Sequence, residues 1–332
     1  MNICSNTFAT KSLTKFIAVV GLAVALLLPG PARAEGKRPV IVATTGMVAD
    51  LVRAVAGDRA AVEALMGEGV DPHLFKPTRS DTVRLLRADA VFISGLHLEG
   101  KMTGAFDRLR ESGKPVVALG EAVPEDRLLS PPEFEGAHDP HIWMDVGMWA
   151  RTLPAIRDGL TRLDPAGAET YARNAGAYGE ELARLDAYAR RILSSIPRKA
   201  RILVTAHDAF NYLGRAYGIE VRGIQGISTE SEAGLRIIEE LAALLADRGV
   251  PAVFPETSVS DRNVRALVEG AGARGHPVTL GGALFSDAMG APGSYEGTYI
   301  GMIDHNVTTI ARALGGDAPA GGFQGKLALA QR

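Results

Sequence analysis

One apolar stripe limits the folds open to this chain more than any other feature. Tyr171, Tyr178, Leu182, Leu185, Ala189, Ile192 and Ile196 follow one another at spacings of seven, four, three, four, three and four, the period of a single face of an α-helix. Asp164-Pro165 offers a helix start, with a carboxylate at the N-cap and Pro at the first helical position, and Pro197 marks the end. A helix over residues 165–196 would run about 48 Å at 1.5 Å per residue. The segment is therefore predicted to be a spine and not a flexible linker. Gly167, Gly176 and Gly179 weaken it by about 1 kcal/mol each relative to Ala, which packing along the stripe offsets.

On both sides of the spine, short β-branched runs alternate with helix-like segments. Before it, strands are predicted at 40–43, 62–65, 90–93 and 115–119, with helices at 47–56 and 80–87. After it, strands at 201–205, 220–224, 252–254 and 277–280 alternate with helices at 208–217, 231–248 and 261–270. Strands separated by helices argue for parallel βαβ units. The predicted fold class is α/β, with two βα lobes carrying parallel sheets and one long α-helix spanning between them. The expected divisions are a signal peptide over 1–34, an N-terminal lobe over 35–160, a linker helix over 161–197 and a C-terminal lobe over 198–332. A length of 298 residues after residue 34 suits about two domains.

The first 34 residues carry Lys11, Lys15, an apolar run over 16–28 and the small-residue segment Pro29-Gly30-Pro31-Ala32-Arg33-Ala34. This is the pattern of a secretory signal, predicted to be cleaved after Ala34 with release into the periplasm. The run is shorter than the 18 or so apolar residues of a membrane span, and no later stretch reaches that length. Cys4 precedes the run, unlike a lipid-anchored Cys placed just after one, so a free periplasmic protein is expected. Without residues 1–34, 33 basic residues stand against 38 acidic ones and the formal charge moves from −2 to −5. No basic patch invites nucleic acid. The only Cys is also lost, so any metal site must use nitrogen and oxygen.

Asp-Pro-His occurs twice, as Asp71-Pro72-His73 and Asp139-Pro140-His141. By average composition the tripeptide is expected at on the order of one position in twenty thousand. Pro fixes its own φ and biases the residue before it away from helix, so each His is held on a stiff loop and loses little freedom on binding a metal. A lone His is more often a hydrogen-bonded surface residue, and the repetition reverses those odds. His207 follows the apolar strand 202–206 and so stands at a strand's carboxyl end, where open α/β sheets place ligands. Asp287 follows the last predicted strand, though a helix N-cap or Asx-turn accounts for such an Asp equally well. Asp139, Asp145 and Asp208 are candidates to orient imidazoles, and each is equally a cap or a surface charge. His138 could recruit metal but reads better as a loop residue, and His97, His276 and His305 have no comparable support.

Asp71-Pro72-His73-Leu74-Phe75-Lys76-Pro77-Thr78, His138-Asp139-Pro140-His141-Ile142-Trp143-Met144-Asp145, Thr205-Ala206-His207-Asp208-Ala209-Phe210 and Leu284-Phe285-Ser286-Asp287-Ala288-Met289-Gly290 together resemble the zinc/manganese solute-binding proteins of ABC importers. Within that ZnuA/TroA group, the TroA-like branch is the most similar. The similarity extends over 226–234 and 295–306. It implies two lobes joined by a long helix, with metal in the interlobe cleft held by His73, His141, His207 and Asp287. It implies no enzyme but a periplasmic carrier, a monomer that captures one ion and delivers it to a membrane permease driven by a cytoplasmic ATPase. The ion is Zn2+ or Mn2+, with Fe2+ a further option. Three imidazoles favour zinc, and His207 stands where manganese-binding relatives often carry Glu. Residues 121–136 hold no His, unlike the His-rich loop of zinc-specific relatives. The alternative is a periplasmic zinc hydrolase with a three-His site and Asp287 as general base. A surface adhesin is a third reading, disfavoured by the position of Cys4.

Overall fold

Every strand pairing among the described residues is parallel, as expected where strands alternate with helices. The computed structural model describes Met1 and residues 38–327, apart from 133, 135 and 231–233. The predicted signal segment with Cys4 and the cleavage point lies outside the described residues, as do the first residues of the helix predicted over 231–248.

In the first array β1 (Val40–Ala43), β2 (Ala61–Ala64), β3 (Ala90–Ile93) and β4 (Val116–Ala118) pair in the order β2-β1-β3-β4. In the second, β5 (Ile202–His207) pairs with β6 (Glu220–Gln225), and β7 (Ala252–Val253) with β8 (Thr279–Leu280). A bridge between Thr205 and Phe254 links the two pairs, so the second array repeats the winding of the first as β6-β5-β7-β8. The last two strands are short because Pro251, Pro255 and Pro277 bound them and supply no ladder donor.

The first sheet is buried on both faces. Ile41, Ala43 and Phe92 enter the main core, whereas Val42, Val91 and Ile93 join Leu85, Phe106 and Leu109 in a smaller one, the alternation that a period of two imposes.

The spine is an α-helix over Ala168–Ser194, about 40 Å long, shorter than predicted. Its predicted first turn, Pro165–Gly167, is a 3-10 turn. At the other end the N–H groups of Ser195 and Ile196 bond the carbonyls three residues back, at Ile192 and Leu193. Pro197, which has no N–H to continue the ladder, follows directly, and the helix closes on a tighter turn. Asp164 accepts hydrogen bonds from Arg59 Nε and the Tyr171 hydroxyl, both at 2.7 Å. Seven side chains of the helix are buried. At roughly 1.5 kcal/mol or more each, the six larger ones, all but Ala189, outweigh the two interior glycines, Gly176 and Gly179.

The spine packs on helices Gly46–Ala56, Val146–Ala150 and Leu153–Leu163 of the first half and on Tyr299–Ala313 of the second. One continuous core therefore runs through both lobes. No described helix is long and apolar enough to cross a membrane.

Candidate metal centre

His73 and His141 sit in matching turns. In each, the Asp two residues earlier accepts the backbone N–H of the His, at 2.8 Å for Asp71 and 3.0 Å for Asp139, the Asx-turn geometry that Asp favours. His207 is the last residue of β5, two residues beyond the predicted strand end. The helix predicted from Asp208 begins only at Asn211, which leaves residues 208–210 to turn away from the strand. The Thr205 hydroxyl donates to the His207 carbonyl at 2.8 Å. Asp287 lies on a loop fixed from two sides. Asn306 accepts from the Phe285 N–H at 2.9 Å and donates to the Phe285 carbonyl at 2.6 Å, while the Trp143 indole N–H donates to the Ser286 carbonyl at 2.9 Å.

These four side chains converge. One nitrogen of each imidazole and a carboxylate oxygen of Asp287 lie within 4.8 Å of one another. His141 Nε2 is 3.3 Å from His73 Nε2 and 3.4 Å from His207 Nε2. Asp287 brings one oxygen to 3.3 Å from His141 Nε2 and the other to 3.2 Å from His207 Nε2 and 3.8 Å from His73 Nε2. His141 and His207 are fully buried, and Asp287 and His73 are 2% and 5% exposed. Outside the three imidazoles, neither Asp287 oxygen receives a hydrogen bond, an expensive condition for a buried carboxylate unless a further partner satisfies it.

Two further carboxylates stand behind the imidazoles. Asp139 Oδ1 is 2.7 Å from His141 Nδ1, and Glu256 Oε2 is 2.5 Å from His207 Nδ1, with Glu256 Oε1 accepting the His207 backbone N–H at 2.8 Å. A proton on each Nδ1 leaves Nε2 as the donor facing inward. Glu256 escaped the sequence reading. Its signal was an acid directly after the strand-like run 252–254, the same strand-end address as His207. Of the other acids considered, Asp145 caps the helix Val146–Ala150.

Burial and charge divide the imidazoles. Burial lowers His73 to about 4. Burial also pulls His141 down, but Asp139 and Asp287 together outweigh it and lift the ring to about 9. His207 is likewise raised well above its ordinary value, Glu256 and Asp287 overcoming desolvation. Asp287 is held well below the carboxylate range because His207 and His141 overcome the opposing effect of burial. Three of the four remaining histidines have structural partners: His138 meets Ser130 Oγ at 2.9 Å, His276 the Val250 carbonyl at 2.8 Å, and His305 the Ala283 carbonyl at 2.9 Å.

A buried nest of three imidazoles and a carboxylate with no donor besides them could hold a metal ion. The family model for the periplasmic component A of the zinc-uptake complex, ZnuA, matches residues 41–313. The chain belongs to this family. Among ZnuA-family relatives, it is 46% identical to the zinc-binding protein TroA of Treponema pallidum over 94% of this chain and 98% of that protein. It is also 46% identical to the manganese-binding lipoprotein MntA of Bacillus subtilis, over 82% and 89% of the two chains. The solved structure of the periplasmic zinc-binding protein TroA from Treponema pallidum aligns with a TM-score of 0.81 at 47% identity, covering 84% of this chain and 99% of that one. The two-lobed parallel α/β fold expected from the sequence is thus the ZnuA-family fold.

Proposed function

We propose that His73, His141, His207 and Asp287 hold one divalent transition-metal ion as cargo, with zinc favoured over manganese and iron. The observation that carries this reading is the fully buried Asp287 carboxylate, which accepts from no group outside the three imidazoles whose nitrogens it faces. The spacing supports zinc. A tetrahedral ion bound at 2.0–2.1 Å sets its donors about 3.3 Å apart, and four of the six donor pairs, taking the nearer Asp287 oxygen for each nitrogen, lie between 3.2 and 3.4 Å. Charge supports a divalent ion, which brings two positive charges to the buried Asp287 and to the Asp139 and Glu256 side chains behind the rings.

The protein is the metal-binding component of an ABC importer, working with a permease and its ATPase. It catalyses no reaction, and the hydrolase alternative falls with the family. Within the reading, the chain is exported, loses residues 1–34 by cleavage after Ala34, and works as a monomer whose lobes, 35–160 and 198–332, close on the ion.

Chelator competition at equilibrium with zinc and with manganese, set beside the metal content of protein taken from its own cell envelope, tests the assignment. One zinc per chain, held more tightly than manganese, is the expected result. Content by itself misleads, because zinc outcompetes manganese at most nitrogen–oxygen sites. Failure of the protein to bind either ion stoichiometrically would sink the reading.

A further inference from the structure

The four donors are enclosed unequally. At the back of the site the halves of the molecule are joined by buried groups. Trp143 donates to the Ser286 carbonyl at 2.9 Å, and the Tyr299 hydroxyl donates to the Trp143 carbonyl at 2.6 Å. These bonds lock the loop of His141 to the loop of Asp287. At the front stands His73, the most exposed of the four and the one whose Nε2 lies 3.8 Å from Asp287. Its neighbour Leu74 is 48% exposed.

The His73 loop reaches the second half through Asp71. While Asp71 Oδ1 accepts the His73 N–H, Asp71 Oδ2 accepts the Thr229 hydroxyl at 2.6 Å, and Thr229 is itself buried at 9% exposure. One residue further on, Glu230 pairs with Lys101 of the first half at 2.6 Å. That outer pair is well exposed and screened, so it contributes little. The inner bond is short, sheltered and accepted by a carboxylate, the stronger kind.

We propose that Thr229 is a positioning residue for His73, acting through Asp71, and that it sets how long the ion is held. Release begins with separation of Thr229 from Asp71 and withdrawal of His73, while His141, His207 and Asp287 stay in place. This rests on the reading of the four residues as the metal site.

The test uses the mature chain loaded with zinc, its release followed by stopped-flow chase into excess chelator, together with the visible absorption spectrum of the Co2+-loaded protein. Thr229→Val keeps the shape and removes the donor. It is expected to speed zinc release 10- to 100-fold, the range for losing a hydrogen bond to a charged acceptor, with association little changed and the cobalt bands unmoved. Thr229→Ser, which restores the hydroxyl, is expected to return release to near the parent rate. Thr229→Ala gives a second removal should the Val variant fold poorly. Release at the parent rate in both removals would overturn the proposal. So would a Ser variant as fast as Val, which would assign the effect to packing, or shifted cobalt bands, which would mean an altered donor set. A parent chain that takes up no cobalt fails the site reading itself, whereas a normal parent spectrum with unmoved variant rates fails only the role of Thr229.

Discussion

Asp71-Pro72-His73 and Asp139-Pro140-His141 are the same three residues folded into the same turn, and they use their carboxylates differently. Asp139 spends one oxygen on both the backbone N–H and the ring of its own His. Asp71 holds only the backbone N–H and sends its other oxygen across the cleft to Thr229. One imidazole is oriented and charged by its loop, and the other is carried on a loop tied to the far lobe. A repeated motif thus supplies one fixed donor and one that can be let go. The second half supplies only the fixed kind, with His207 doubly held by Glu256 and Asp287 held through its neighbours.

Removing a ring tests this division most strongly. Structural zinc sites bind with about 10–16 kcal/mol, roughly 2.5–4 kcal/mol for each of four ligands, so His141→Ala or His207→Ala should weaken zinc binding by about 70-fold to about 1,000-fold. The lobes should stay folded. His73→Ala should cost less, because that ring is neutral in the metal-free protein, whereas loss of His141 strands Asp139 and Asp287 as buried charges without their partner. Equal losses at His73 and His141, measured by chelator competition, would erase the distinction between the two loops.

Proton release separates them next. At pH 7 His141, raised to about 9, and His207, raised well above its ordinary value, hold protons that the metal must displace, while His73 at about 4 holds none. Zinc binding should release about two protons per ion, so affinity should climb up to about 100-fold per pH unit around neutrality. Calorimetry in buffers of different ionisation enthalpy counts them. His141→Ala should remove about one, and His73→Ala none. Stability of the metal-free protein follows with opposite signs. The contribution of His141 is present below pH 6.5 and lost as pH rises toward 9, while the depressed His73 erodes stability as pH falls from 6.5 toward 4. Melting should therefore peak near pH 6.5 without metal, and zinc should remove the alkaline decline.

What could be read from the chain divides along the same line. His73 and His141 were visible because a Pro-stiffened turn is local, and the strands because β-branched runs in parallel sheets need only their own residues. Spine length was overestimated because Pro165 and Pro197 reshape the end turns, which the apolar stripe does not register. Asp287 was indistinct for a physical reason. Asn306 and Trp143, which fix its loop, are far away in sequence, and nothing nearby marks it as a donor. Glu256 and Thr229 were missed likewise, since their partners His207 and Asp71 are 49 and 158 residues away.

The smallest expected effects compare the supporting carboxylates themselves. Glu256 uses different oxygens for the backbone N–H and the ring of His207, so Glu256→Gln necessarily turns an amide NH2 toward one of two donors. Asp139 uses a single oxygen for both bonds, so Asp139→Asn can present its carbonyl there, while its NH2 meets the Asn211 amide, at 3.3 Å from the other oxygen, which can rotate to offer its own carbonyl. Asp71→Asn can keep both partners, its carbonyl accepting from His73 N–H and its NH2 donating to the Thr229 oxygen. Loss of such supporting groups weakens metal binding about 10- to 100-fold. Glu256→Gln should fall near the upper end, Asp139→Asn near the lower, and Asp71→Asn below both. Chelator competition at fixed pH ranks the three. If Asp71→Asn proved as damaging as Glu256→Gln, the charge of Asp71 would be supporting the bound ion directly, and the two Asp-Pro-His loops would be equivalents after all.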